Sequence, residues 1–150
     1  MHESEAIAYF VDFSLHDIPF VTSIALEAGG TIYTDSQSTH RCITSEYPAL
    51  RVLYFESVQQ IRAHMKRERV RVIVYPDYHI RYFRDLEGVR HVQVFHGPND
   101  KAYQYSRDVL DYDMFFICGP HAYSRYKKRG LLKKGSGVLI GYPKLDRVFR

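Results

Sequence analysis

The chain has 150 residues, 45% of them hydrophobic and 25% charged, the proportions of one soluble globular domain with its own core and not of a disordered, collagen-like or coiled-coil chain. No run approaches the roughly 20 apolar residues that cross a bilayer, and the polar, acidic start from Met1 to Glu5 lacks the basic-then-apolar form of a signal peptide. The formal charge of +4 favours anionic partners only weakly, and Cys42 and Cys118 form no Cys-x-x-Cys pattern, so a reducing, cytoplasmic setting is expected and a disulfide framework is not.

In chain order, Ala6 to Phe13 reads as a first strand. Asp17 is placed to cap a helix whose apolar positions Ile18, Val21, Ile24, Ala25 and Ala28 recur every three to four residues, with Gly29 and Gly30 as the stop. Thr31 to Thr34 is a second strand, and the polar stretch Asp35 to Tyr47 is either a functional loop or an element that its pattern does not declare. Leu50 to Phe55 is a third strand, followed by a capping box from Ser57 to Gln60 and a helix presenting Val58, Ile61 and Met65 on one face. Val70 to Tyr75 is a fourth strand, broken by Pro76 and Asp77; the aromatic segment Tyr78 to Leu86 reads as a short helix, and Val89 to Phe95 as a fifth strand. A helix from Lys101 to about Leu110, a strand Met114 to Cys118, a helix opened by Gly119 and Pro120 and ended by Gly130, and a last strand Val138 to Ile140 complete the chain.

Strands and helices in alternation specify an α/β, Rossmann-like fold, a mostly parallel sheet with helices on both faces in a single domain over residues 1–150. In such sheets ligands collect beyond the carboxyl ends of the strands. Four of those ends carry polar groups: Asp12, Ser14 and His16; Asp77 and His79; the segment His96 to Lys101; and Gly119 to His121. In the third, His96 closes a strand, Gly97 lets the backbone turn, Asn99 or Asp100 is placed to cap a helix, and Lys101 stands in its first turn. An imidazole there has the basicity to take a proton from an attacking hydroxyl, although a histidine at a strand end is more often a hydrogen-bonding residue.

His96, Gly97 and Lys101 resemble the His-Gly-Thr-Pro-x-Lys segment of the CDP-glycerol glycerophosphotransferase family, and Gly141, Tyr142, Pro143, Lys144 and Asp146 resemble its Gly-Tyr-Pro-Arg-x-Asp segment. Pro98 and Asn99 stand where the family has threonine and proline, so a hydroxyl contact from that threonine is missing. The resemblance implies a GT-B architecture of two facing Rossmann-like domains, with this chain as the N-terminal, acceptor-side domain. The donor nucleotide would be held by a C-terminal domain beyond Arg150. It also implies His96 as general base for attack on the β-phosphate of CDP-glycerol or a similar CDP-alditol, with release of CMP and with no metal or cofactor. Gly97, Asn99, Lys101, His16, Tyr142 and Asp146 are the substrate-binding candidates. From the residues alone, Tyr142 and Asp146 read as a strand-ending turn and a local cap, and His16 equally as a cleft contact or a surface cap.

The acceptor implied is an anionic polymer or polyol phosphate of the cell envelope, such as teichoic acid, reached at the cytoplasmic face of the membrane; no nucleic-acid partner is expected. Alone, this domain is expected to be inactive. The basic clusters Arg62, Lys66, Arg67, Arg69 and Arg71, and Lys127, Lys128, Arg129, Lys133 and Lys134, read first as solvated faces and second as contacts for an anionic polymer or membrane. The alternative function is a free-standing flavodoxin-like binding module without catalysis; a receiver domain is disfavoured because the first strand ends in a single acid, Asp12, and the fifth in His96. Tyr78, Tyr82, Phe83, Tyr103 and Tyr105 are assigned to packing ahead of stacking on a sugar or base.

Overall fold

A computed structural model describes residues 6–94 and 105–145. Seven short strands, β1 (Ile7–Phe10), β2 (Thr31–Thr34), β3 (Arg51–Tyr54), β4 (Val72–Tyr75), β5 (Arg90–Val94), β6 (Met114–Ile117) and β7 (Gly137–Leu139), form one sheet in the order β3-β2-β1-β4-β5-β6-β7. Every pairing is parallel, so each connection must cross a face of the sheet to return to the starting edge. Helices α1 (Ile18–Ala28) and α2 (Gln37–Glu46) cover one face. Helices α3 (Val58–Arg67) and α4 (Pro120–Lys128), with 3-10 turns at Ile80–Tyr82 and Arg107–Asp111, cover the other.

The strands alternate their side chains between these two cores. On the α1 side, Tyr9, Val11, Val74, Val92 and Val94 pack with Ile18, Val21, Ala25 and Ile43. On the α3 side, Ala8, Phe10, Ile73 and Tyr75 pack with Ile61, Met65, Phe83 and Tyr112. Because both faces are covered, β1 is apolar throughout and Ala8, Tyr9 and Phe10 are at most 1% exposed. The edge strands β3 and β7 are only partly buried.

Several local expectations change in the structure. Asp17 does not cap α1 with its side chain. A 3-10 turn, Leu15–Asp17, runs straight into the helix, so Asp17 already has helical angles (φ −82°, ψ −21°) and its carboxylate turns inward, fully buried, 3.3 Å from His16 Nε2. The polar stretch after β2 is α2, opened by Ser36, whose hydroxyl accepts from Thr39 N–H; Thr39 and Ile43 are its buried residues. Ser57 caps α3 as expected, accepting from Gln60 N–H, but Gln60 Oε1 reaches back one residue further, to Glu56 N–H. The aromatic segment after β4 makes only the single 3-10 turn Ile80–Tyr82, with Phe83 buried behind it. Of the helix expected from Lys101, the described part is the 3-10 turn Arg107–Asp111.

Gly30 is required by close packing. It has φ +103°, and an added Cβ would stand 2.5 Å from the carbonyl oxygen of Ile7 on the neighbouring strand. Gln93 is the opposite case, a polar side chain on β5 between Tyr75 of β4 and Phe115 of β6. It is fully buried, and among the described residues neither its amide nitrogen nor its amide oxygen has a hydrogen-bond partner. Two outcomes follow. Gly30→Ala lowers stability by about 2 kcal/mol or more, since left-handed strain and backbone overlap coincide; chemical denaturation reads this directly. Gln93→Leu, which removes two unsatisfied buried groups, leaves stability unchanged or raises it by about 1 kcal/mol, and a lowered melting temperature would show that a partner had been lost.

Candidate functional site

All seven carboxyl ends lie along one edge of a parallel sheet, and the strand order decides which of them face each other. The chain runs outward from β1 to β2 and β3, then crosses back to start β4 on the other side of β1. The loops after β1 and β4 therefore leave adjacent strands towards opposite faces, and the crevice between them is the usual ligand position in an open α/β sheet. Asp12 follows β1, and Asp77 to His79 follow β4.

Asp12 is held by its own turn. Its Oδ1 accepts the Ser14 N–H at 2.8 Å, and its carbonyl accepts the Thr39 hydroxyl of α2 at 2.6 Å. Asp77 makes a similar turn, accepting the Tyr78 N–H at 2.7 Å through Oδ1 and the His79 N–H at 2.9 Å through its carbonyl. That turn folds His79 inward, edge-on to Phe10 at 5.3 Å and stacked with Tyr82 at 5.8 Å. His79 Nε2 comes to rest 3.2 Å from Asp12 Oδ2, with both side chains largely shielded, 11% and 15% exposed. The contact falls short of a well-formed hydrogen bond, and among the described residues neither ring nitrogen of His79 has another partner. Burial raises the Asp12 pKa, but the His79 contact and the Ser14 N–H outweigh it and bring the carboxyl down to about 2.

The Tyr82 ring that stacks on His79 also lines a cavity of about 520 Å³ that opens at the ends of β2 and β3, together with Asp35, Ser57, Val58, Gln59, Arg62 and Arg81. Arg62 is occupied within it, since its guanidinium meets the Asp85 carboxylate at 2.7 and 2.5 Å and donates to the Tyr82 carbonyl. Arg81 is exposed at the rim, 4.9 Å from the centre of the Tyr82 ring and 3.0 Å from its hydroxyl. A second cavity of about 500 Å³, lined by Lys66, Arg69, Arg71, Asp85, Glu87 and Val89 among others, lies beside the starts of β4 and β5, at the amino-terminal edge of the sheet and away from the crevice.

Of the residues singled out from sequence, His16 and Tyr142 lie at the start of α1. The His16 side chain is 66% exposed. The Tyr142 ring meets Phe20 of α1 edge-on at 5.3 Å, and the 3-10 turn Pro143–Leu145 packs on the same helix. Burial, and after it the nearby Cys118 thiol, raises the Tyr142 pKa. His96, Gly97, Asn99, Lys101 and Asp146 lie outside the described residues; β5, which leads to His96, ends at the buried Val94 beside β4. Asp12 and His79 were both legible as polar strand ends, but nothing in the sequence signals that they meet. Phe83 and Tyr105 are core residues, 0% and 8% exposed. No helix among the described residues is long and apolar enough to cross a membrane.

No protein-family model matches the sequence, and no curated protein does. The fold does have solved counterparts. The structure resembles two structures of the wall teichoic acid polymerase TagF. One is a histidine-to-asparagine variant soaked with CDPG, at a TM-score of 0.57 and 9% identity, covering 98% of this chain and 42% of that one. The other is a histidine-to-alanine variant, at a TM-score of 0.56 and 11% identity, covering 97% and 40%. The chain thus spans about two fifths of the TagF chains it matches, and the likeness is one of fold.

The Asp12 environment sets an acid dependence. A carboxyl held below its unfolded value of about 3.9 contributes stability that is fully present above that pH and is lost as the pH falls through the folded value of about 2. Asp12→Asn is expected to destabilise the protein by about 1–2 kcal/mol at pH 7 and by little at pH 2; equal destabilisation at both would show that the carboxylate charge is not what the site uses.

Proposed function

We propose that this chain is the N-terminal, acceptor-side domain of a two-domain, GT-B-type transferase of the CDP-glycerol glycerophosphotransferase kind. It would act on a cell-envelope polyol phosphate at the cytoplasmic face of the membrane, with a CDP-activated alditol as donor. The observation that carries the proposal is the all-parallel seven-stranded sheet, matched along nearly the whole chain by two fifths of a teichoic acid polymerase. It agrees with the two segments of family-like sequence, His96 to Lys101 and Gly141 to Asp146.

In this scheme His96, following β5, takes the proton of the acceptor hydroxyl as its oxygen attacks the β-phosphorus of the donor. The pyrophosphate bond breaks, CMP leaves with the bonding electrons, and the alditol phosphate remains on the acceptor oxygen. The step needs an acceptor hydroxyl, an imidazole near neutral pKa and a held pyrophosphate, and only the last is assigned to the second domain. Gly97, Asn99 and Lys101 in the following turn, with Tyr142 and Asp146 where the chain would pass to that domain, are assigned to holding substrate. Pro98 and Asn99 replace the family's threonine and proline, so acceptor contacts there differ from the family pattern.

The test is made in the intact two-domain protein. His96→Ala is expected to lower transfer from CDP-glycerol by at least about a hundredfold while leaving the circular dichroism spectrum and melting temperature unchanged. Near-normal turnover sinks the base assignment, and a native chain without a second domain and without transfer identifies a binding module instead.

A further inference from the structure

The crevice contains a polar couple that the transfer scheme does not use. His79 is 9% exposed with neither ring nitrogen in a well-formed hydrogen bond, and Asp12 stands beside it with one carboxylate oxygen committed to Ser14 and the other 3.2 Å from the imidazole. Buried polar groups are nearly always satisfied, and an unsatisfied one is costly. A couple left short of partners at the point where the strand order reverses, where open sheets hold their ligands, is placed to receive one.

We propose that Asp12 and His79 form a hydroxyl-binding subsite that takes one alcohol group of a polyol phosphate, with Arg81 at the rim facing the phosphate. The inference rests on the acceptor-side reading for the identity of the polyol, but its chemistry comes from the residues. A carboxylate accepts only, and an imidazole donates through a ring N–H. The matching group both donates and accepts and carries no charge. A hydroxyl meets both requirements; a phosphate would face the Asp12 carboxylate, and an ammonium group has no acceptor to offer the imidazole N–H. The half-buried ring of Tyr82, stacked with His79, suits the C–H face of a polyol. Tyr82 also lines the cavity of about 520 Å³ that reaches Arg81, whose exposed guanidinium is, among the described residues lining it, the cation not already taken by a carboxylate.

The couple can be read without turnover. In protein labelled with nitrogen-15 at histidine, titration with sn-glycerol 3-phosphate is expected to shift the His79 ring-nitrogen signals saturably, and glycerol to do so more weakly. Inorganic phosphate is expected to leave them in place. His79→Phe, which keeps an aromatic ring on Phe10 and Tyr82, should lower glycerol 3-phosphate affinity about tenfold or more; Asp12→Asn gives a second reading where that variant folds poorly. Arg81→Gln should weaken glycerol 3-phosphate but not glycerol. In the intact two-domain protein, His79→Phe should raise the acceptor KM with little change in kcat. An absent His79 shift, or an equal shift with inorganic phosphate, overturns the subsite even if transfer is measured. A saturable His79 shift without any transfer upholds the subsite and removes the transferase assignment instead.

Discussion

The constraint on which the rest depends is the enclosure of β1. It has a parallel neighbour on each side, β2 and β4, and a packed layer on each face, so its backbone hydrogen bonds and the side chains of Ala8, Tyr9 and Phe10 are used internally. A central parallel strand of this kind requires the chain to leave it over one face and come back later over the other. Here α1 and α2 return the chain on one side, and α3 carries it across to β4. The loops that follow β1 and β4 are thereby driven apart, and the crevice is a consequence of connectivity before any polar residue is placed in it.

Polar groups buried around that crevice differ in how they are satisfied. Tyr75 and His91 meet across β4 and β5 through the Tyr75 hydroxyl and His91 Nδ1 at 2.8 Å, while burial lowers the histidine's pKa and raises the tyrosine's, so both stay neutral in the core. Tyr112 donates to the Asp77 carbonyl and accepts the Ile80 N–H, tying the post-β4 turn to the end of the Arg107–Asp111 segment. These are closed pairs. Asp12 and His79 are held in place by equally specific turns yet leave hydrogen-bonding capacity open, at a position where the chain order, not local sequence, puts them together.

The C-terminal end of the described chain makes a second use of the same edge. Tyr142 packs on Phe20 and the Pro143–Leu145 turn on α1, so the last segment runs back over the start of the first helix, close in sequence to His16. A chain leaving the sheet there leaves on the side of its carboxyl ends. Fold likeness at 9% identity is understandable in these terms, since burial pattern and connection length define such a sheet, whereas the residues at its edge are free to differ.

The alternation of apolar runs with amphipathic segments determined the number of strands, their approximate positions and the parallel α/β class, because each of those is written in the periodicity of neighbouring residues. Caps with a local mechanism, such as Ser57 before α3, were legible for the same reason. Where a residue's role depended on what lay across the sheet, the sequence was silent. Polar α2 could not be told from a loop because it buries only Thr39 and Ile43, and Asp17 could not be told from a cap because its inward turn comes from the 3-10 turn ahead of it. The candidate residues His16 and Tyr142 were found by motif and position, but their common place at α1, and the meeting of Asp12 with His79, arise from contacts between segments distant in the chain. Such contacts are decided by strand order, which follows from the packing of both faces at once and leaves no local signal in the sequence.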